Sequence, residues 1–370
     1  MDSKLRSGIV LIVLAALGLV GCGAELRPLA RPAGGAGPKA AAEHVLTAGN
    51  VGSMQELESW RVALGPGVAT DYSPSEEHIA TMGADRIVRV WDAGTGRMLD
   101  ELHEHIRLGQ ALAYSPDGSQ LLSGGGTMGQ DIYLWDLSTG EAIVTASTDG
   151  FFVYDAAWAP AGEQFIVVSQ GSSRMYIYET AQYEHINHRS SGIPLSAVAH
   201  GADYMAVAND IGNTYVFRYE ALQIYEPVHL MRYDVNIDFR YEDDVPGRDL
   251  EFSAGDKLLA NCYGNGGGEG WRSDDWDRVS TFQAHEFVKG QVLGCRDGAF
   301  SHGGDVYFTV GDDSTLRAWD PLTGEKLAEW TFAIGARTVS VSASGDHVAV
   351  GTADGMLHLF SLPEVRPAGE

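Results

Sequence analysis

The sequence predicts an all-β chain built from seven repeats of a four-stranded antiparallel unit, and three observations predict it. The first is composition. Among 370 residues, 44% are hydrophobic, 46 are Gly and 13 are Pro, which is too much Gly for a helical protein. The second is a phrase written three times: IVRVWDAGTGRM at 87–98, IYLWDLSTGEAI at 132–143 and TLRAWDPLTGEK at 315–326. The third is a fixed interval between a short turn piece and an aromatic residue.

The turn pieces are YSPSEEH (72–78), YSPDGSQ (114–120), WAPAGEQ (158–164), VAHGADY (198–204), FSAGDKL (252–258), FSHGGDV (300–306) and VSASGDH (341–347). Each follows one alternating apolar run and precedes another, which reads as strand, turn, strand. From the second residue of each piece to the next anchor, Ser73 to Trp91 is 18 positions, Ser115 to Trp135 is 20 and Ala159 to Tyr178 is 19. Ala199 to Phe217, Ser253 to Trp271, Ser301 to Trp319 and Ser342 to Phe360 are each 18. Trp91, Trp135, Tyr178 and Phe217 lie 44, 43 and 39 residues apart, and Trp319 and Phe360 lie 41 apart, a period that fits four short strands with their turns. Each Trp-Asp phrase then ends a third strand and turns into a fourth. Its aromatic packs between neighbouring sheets, and its Gly suits a turn that needs positive φ.

On these residues the chain resembles a WD40-repeat β-propeller over about residues 55–362. The resemblance is carried by Trp91-Asp92, Trp135-Asp136 and Trp319-Asp320, and by an Asp six residues before the aromatic: Asp85, Asp313 and Asp354. It implies a seven-bladed β-propeller of four-stranded antiparallel blades, in which that Asp closes the turn between the second and third strands. Units three, four, five and seven lack the Trp-Asp pair. The Gly-His pair usual in the family is missing from most units, which implies that its buried His–Asp network is absent or partial. The seventh unit ends near Phe360 with no fourth strand after it, while MQELESWRVAL (54–64) alternates and belongs to no unit. A strand near 55–63 is therefore expected beside 356–361, completing the last blade and hiding both sheet edges.

The N-terminus reads as an export signal. Lys4 and Arg6 precede an apolar run from Ile9 to Gly21, shorter than the roughly 20 residues that span a bilayer. The run ends in Leu19-Val20-Gly21-Cys22, which resembles the bacterial lipobox. That resemblance implies cleavage before Cys22 and lipidation of its thiol. The expected division is a signal peptide over 1–21, a flexible tether over 22–43, the propeller over 44–363 and a short tail over 364–370. By resemblance to lipoprotein sorting in two-membrane bacteria, Gly23 after Cys22 points to the outer membrane, so the chain is expected in the cell envelope, held to the membrane by its N-terminal lipid. An exported compartment permits a disulfide, and Cys262 and Cys295 are open to two states, a bridge or two buried free thiols.

Net charge is −25, spread along the chain, which argues against nucleic acid as a partner. The conspicuous loops are 225–247 between blades four and five, CYGNGGGEG (262–270) within blade five, 283–294 between blades five and six, and GGGTMGQ (124–130) in blade two. Loops on a rigid scaffold are where binding concentrates. The expected partner site includes Tyr233, Phe239, Tyr241, Glu242, Asp243, Asp244 and Phe287. His103 and His105 alternate as a metal-binding pair can, but no further ligands accompany them, and the segment reads as an exposed polar loop. No G-x-S-x-G, P-loop or nucleophile–base pairing is visible. The function expected is a non-catalytic, lipid-anchored scaffold for an unidentified protein, with no cofactor. The alternative is a propeller enzyme with a metal-assisted hydrolytic site at the central channel.

Overall fold

The structure is a computed structural model. It describes residues 46–63, 65, 67–103, 105, 109–125, 132–146, 152–169, 174–183, 185–190, 195–209, 212–220, 223–224, 229–232, 247–286 and 294–361. Cys22 and the tether lie outside the described residues.

The chain forms seven antiparallel sheets arranged as the blades of a ring. The first strands are Gly67–Tyr72, Gly109–Tyr114, Val153–Trp158, Leu195–His200, Gly247–Phe252, Cys295–Phe300 and Ala336–Val341. Each lies against the first strand of the blades before and after it, and the last lies against the first. These strands line a central channel. Closure takes the form expected from sequence. The strand Gln55–Arg61 pairs antiparallel with Met356–Ser361, from Gln55 opposite Ser361 to Arg61 opposite Met356. Leu46, Val51 and Met54, just ahead of it, are buried among residues of blades six and seven.

The repeated phrases have local causes. The turn Ser takes the backbone N–H five residues on: Ser73 Oγ accepts from His78 at 3.1 Å, Ser115 from Gln120 at 2.9 Å and Ser253 from Leu258 at 3.0 Å. The Asp of each Trp-Asp pair folds the next turn. Asp92 Oδ1 accepts from Thr95 N–H at 2.9 Å and from its hydroxyl at 2.7 Å, and Asp136 and Asp320 hold Ser138 and Leu322 N–H at 2.8 Å. Gly324 in such a turn has φ of 75°, and a Cβ there would lie 2.6 Å from the Thr281 carbonyl oxygen. The anchoring aromatics fill the seams between blades, as where Trp135 packs with Val88, Val90 and Leu102 of the blade before it.

The middle blades depart from the sequence reading in three ways. In blade four Gly201, not Ala199, stands where Ser73 stands in blade one, because the turn is tighter: Gly201 N–H bonds Tyr204, whereas Ser73 N–H bonds His78. Part of the 225–247 link is strand. His229–Arg232 pairs with Asn213–Val216, so the long third strand Asn213–Glu220 carries two short partners, Gln223–Ile224 and His229–Arg232. The 262–270 stretch is not a long loop either. Gly267–Arg272 is the third strand of blade five. Its glycines are there for packing: a Cβ on Gly268 would sit 2.3 Å from the Phe282 ring, and one on Gly270 would sit 2.3 Å from the Pro321 carbonyl oxygen.

Candidate functional site: the central channel and its mouth

Each of the seven first strands carries a bulge at the same register, between Gly67 and Ala69 in blade one and between Ala336 and Thr338 in blade seven. A bulge leaves one residue unpaired and re-aims it. Gln110, Tyr154, Ser196, Arg296 and Arg337 occupy bulge positions and line a cavity of about 560 Å³ in the channel.

Inside, the wall is acidic. Neighbouring first strands belong to separate sheets, so their inward N–H groups need acceptors from elsewhere. Side chains supply them across five of the seven seams among the described residues. Asp71 Oδ2 accepts from Tyr114 N–H at 2.7 Å, Asp155 Oδ2 from Val198 at 2.8 Å and Asp297 Oδ2 from Val339 at 2.8 Å. Glu251 accepts from Phe300 N–H, Asp249 from the Tyr307 hydroxyl, and Ser340 Oγ from Tyr72 N–H at 3.1 Å. Removal from water disfavours the ionised form of each acid. Burial pushes the Asp71 and Asp155 carboxyls up to about 7, Glu251 to about 8 and Asp297 to about 6. Asp249 stands well above its ordinary value, through burial first and then the charges of Asp297 and Glu251.

The cations at the site do not neutralise this wall. Arg296 grips Asp312 with two bonds, Nε at 3.0 Å and Nη2 at 2.7 Å, and Arg337 Nη1 reaches the same carboxylate at 3.0 Å. Two guanidiniums thus share one acid. Among the described residues no Lys or Arg pairs with any of the five channel carboxylates. The Ser196 hydroxyl, 2% exposed, lines the cavity without a hydrogen-bond partner. Among the described residues no three His, Cys, Asp or Glu are placed to hold one metal ion.

The repeat residues build the frame of the site. In blade six a buried chain is complete: Trp319 Nε1 donates to Thr309 Oγ1 at 2.9 Å, that hydroxyl meets His285 Nε2 at 3.0 Å, and His285 Nδ1 meets Asp313 Oδ1 at 2.9 Å. Burial outweighs the Asp313 bond and lowers the ring's pKa, so His285 is neutral at pH 7. Burial works to raise the Asp313 carboxyl, but bonds from His285, Glu286 N–H and Thr315 hold it well below the usual range. Blade two keeps part of the chain, with His105 Nε2 2.6 Å from Ser123 Oγ, which also accepts from Trp135 Nε1 at 2.8 Å. His105 is therefore not part of an exposed polar loop. It is 7% exposed, and burial takes its pKa down to about 4. In blade one Asp85 holds Arg89 at 2.8 Å, as Asp313 holds Arg317 at 3.3 Å, and in blade seven Asp354 accepts from the Thr352 hydroxyl at 2.6 Å.

The structure joins Cys262, on the second strand of blade five, to Cys295, at the start of blade six, by a disulfide. Tyr233, Phe239, Tyr241, Glu242, Asp243, Asp244 and Phe287 lie outside the described residues. Sequence reasoning missed the channel acids. Their signal was available: an acid two or four residues before the turn Ser, or before Ala159 in blade three, at inner-strand positions that hold Ala69, Ala111 and Ala299 in other blades.

Comparison with known proteins agrees with this architecture. The WD domain, G-beta repeat family matches residues 96–136 and 276–320. Together with the ring of blades, this supports a WD40 β-propeller. Among similar proteins, Centriole proteome protein 16 of Chlamydomonas reinhardtii is 32% identical over 169 residues, covering 45% of this chain and 7% of that protein. WD repeat-containing protein srw1 of Schizosaccharomyces pombe is 31% identical over 97 residues, 26% of this chain and 17% of that protein. Serine-threonine kinase receptor-associated protein of Gallus gallus is 23% identical over 281 residues, 74% of this chain and 72% of that protein. The chain thus spans a small part of the first two relatives and most of the third.

Proposed function

We propose that this chain is a non-catalytic scaffold that binds a protein partner through the mouth of its propeller, and that a lipid on Cys22 holds it in a cell envelope at the outer membrane. The observation that carries the binding role is the ring of re-aimed bulge residues at the channel, where Gln110, Tyr154, Arg296 and Arg337 stand on rigid strands. Preorganised side chains of this kind lose little entropy on binding. WD-repeat relatives support the scaffold role, and the Cys262–Cys295 disulfide supports an oxidising compartment. Tyr233, Phe239, Tyr241, Glu242, Asp243, Asp244 and Phe287 are proposed to extend the contact surface.

The test is affinity capture from membrane extracts with three baits: the wild type, Tyr154→Ala/Arg337→Ala, and a form with 233–246 replaced by a Gly-Ser linker. The linker begins after Arg232, because His229–Arg232 is a strand of blade four. A protein held by the wild type and lost from either altered bait locates the surface. Equal recovery by all three baits contradicts it. Cys22→Ser should release the chain from membranes, and continued membrane retention would sink the anchor.

A further inference from the structure

We propose that the central channel is a binding site for a primary alkyl-ammonium group, seated among Asp155, Asp249, Glu251 and Asp297 with the Ser196 hydroxyl as a further acceptor. The first ground is charge. Four acids from blades three, five and six face one cavity without a paired cation among the described residues. Each has part of its hydrogen-bonding capacity committed to a neighbour, and Glu251 leaves its second oxygen without a bond among those residues. The second ground is independent of the acids. Ser196 is buried, lines the cavity and has no partner, which is unusual for a buried hydroxyl.

The shape and chemistry select among cations. An ammonium offers three donors and no acceptor, which suits walls that mostly accept. A metal ion asks for several ligands around one point, and no three acids are so placed among the described residues. Arg296 and Arg337 stand at the rim, drawn to Asp312. A cation held at the rim meets their charge, whereas a four- or five-carbon stem carries the ammonium past them. Leu112, Ala156, Val198 and Val339 supply apolar surface for that stem. Burial first, and for Asp249 then the charges of Asp297 and Glu251, holds these acids above their ordinary values, and a cation seated among them favours their ionised forms. The cavity, about 560 Å³, is the size of a small-molecule site.

Two sources carry this group: a lysine side chain of a partner protein, or a free alkyl diamine. The lysine source rests on the scaffold reading above; the site itself does not. Isothermal titration of the purified protein at pH 7.5 with n-pentylamine is the test of the site, with 1-pentanol and calcium chloride as controls. Saturable one-to-one binding of the amine, without binding of the alcohol, is expected. Asp297→Asn/Glu251→Gln, whose amides still accept the seam N–H groups, should weaken binding at least tenfold. Ser196→Leu, which removes the free hydroxyl and intrudes on the cavity without breaking a seam bond, should weaken it as well. Absence of saturable amine binding overturns the site, as does equal affinity for pentanol, tighter binding of calcium at the same acids, or unchanged affinity in both folded variants. With the site established, a lysine-bearing peptide that binds tighter than 1,5-diaminopentane assigns the source to a partner, and the reverse order assigns it to a free amine. Failure of affinity capture alone leaves the amine titration standing.

Discussion

Removing the disulfide between blades five and six should cost a large share of the fold's stability. Cys262 and Cys295 are 33 residues apart in sequence and both are fully buried. Closing a loop of that length removes unfolded-state entropy worth roughly 3–4 kcal/mol at 25 °C, against a total stability of about 5–15 kcal/mol for folded domains. The perturbation is Cys262→Ala/Cys295→Ala, since Ala leaves no buried hydroxyl to confound the loss. Equilibrium urea unfolding of the variant, the oxidised wild type and the wild type under reductant reads the difference. The variant and the reduced protein should both lose about 3 kcal/mol. Thiol labelling of the unfolded wild type establishes the starting state. A loss under about 1 kcal/mol from a fully oxidised wild type would refute the reasoning.

The other predictions follow from the same packing. His285→Ala should destabilise by about 2–4 kcal/mol, because it opens a buried cavity and removes one bond each from Asp313, Thr315 and Thr309, while Ser123→Ala in the shorter chain of blade two should cost less; urea unfolding compares them. Deleting 44–63 removes the closing strand and the buried Leu46, Val51 and Met54, worth roughly 6 kcal/mol of burial, so the melting transition should be lost or fall steeply, and an unchanged melt would contradict closure by this strand. Stability should fall as pH rises from 6.5 to 8. The channel acids keep protons in the folded chain that they have already lost when unfolded, and each such proton costs about 1.4 kcal/mol per pH unit until the folded value, about 7 for Asp71 and Asp155 and about 8 for Glu251, is passed. His105, His200 and His285, whose values are lowered, act in the opposite direction only below pH 6.5, so the window above it isolates the acids. Asp71→Asn should flatten the slope in that window, and a flat wild-type profile would contradict the assignment.

The parts of this fold that were legible in the sequence are those that every blade must repeat. Ser73, Ser115 and Ser253 recur because each caps the same N–H, and Asp92, Asp136 and Asp320 recur because each folds the same turn. The closing strand was legible because an alternating segment stood outside the repeat. What was missed is what single blades do alone. Gly268 and Gly270 read as loop residues, yet packing against Phe282 and Pro321 places them in a strand. His229–Arg232 was hidden inside a link, and the tighter turn at Gly201 shortens the equivalent interval to Phe217 to 16, while counting from Ala199 gives a coincidental 18. His105 looked like surface because its partner, Ser123, is 18 residues away. The channel acids are scattered over blades one, three, five and six, and only the ring brings them together.

The mouth of the propeller is proposed as the protein-binding surface. Hydrogen exchange of the wild type, alone and with its captured partner, tests it most directly. Slowed exchange is expected at the bulges around Gln110, Tyr154, Arg296 and Arg337, with no change in the turns at Ser115–Ser119 or Ser342–Asp346. Protection confined to those turns, or to the outer strand Gln55–Arg61, would contradict it.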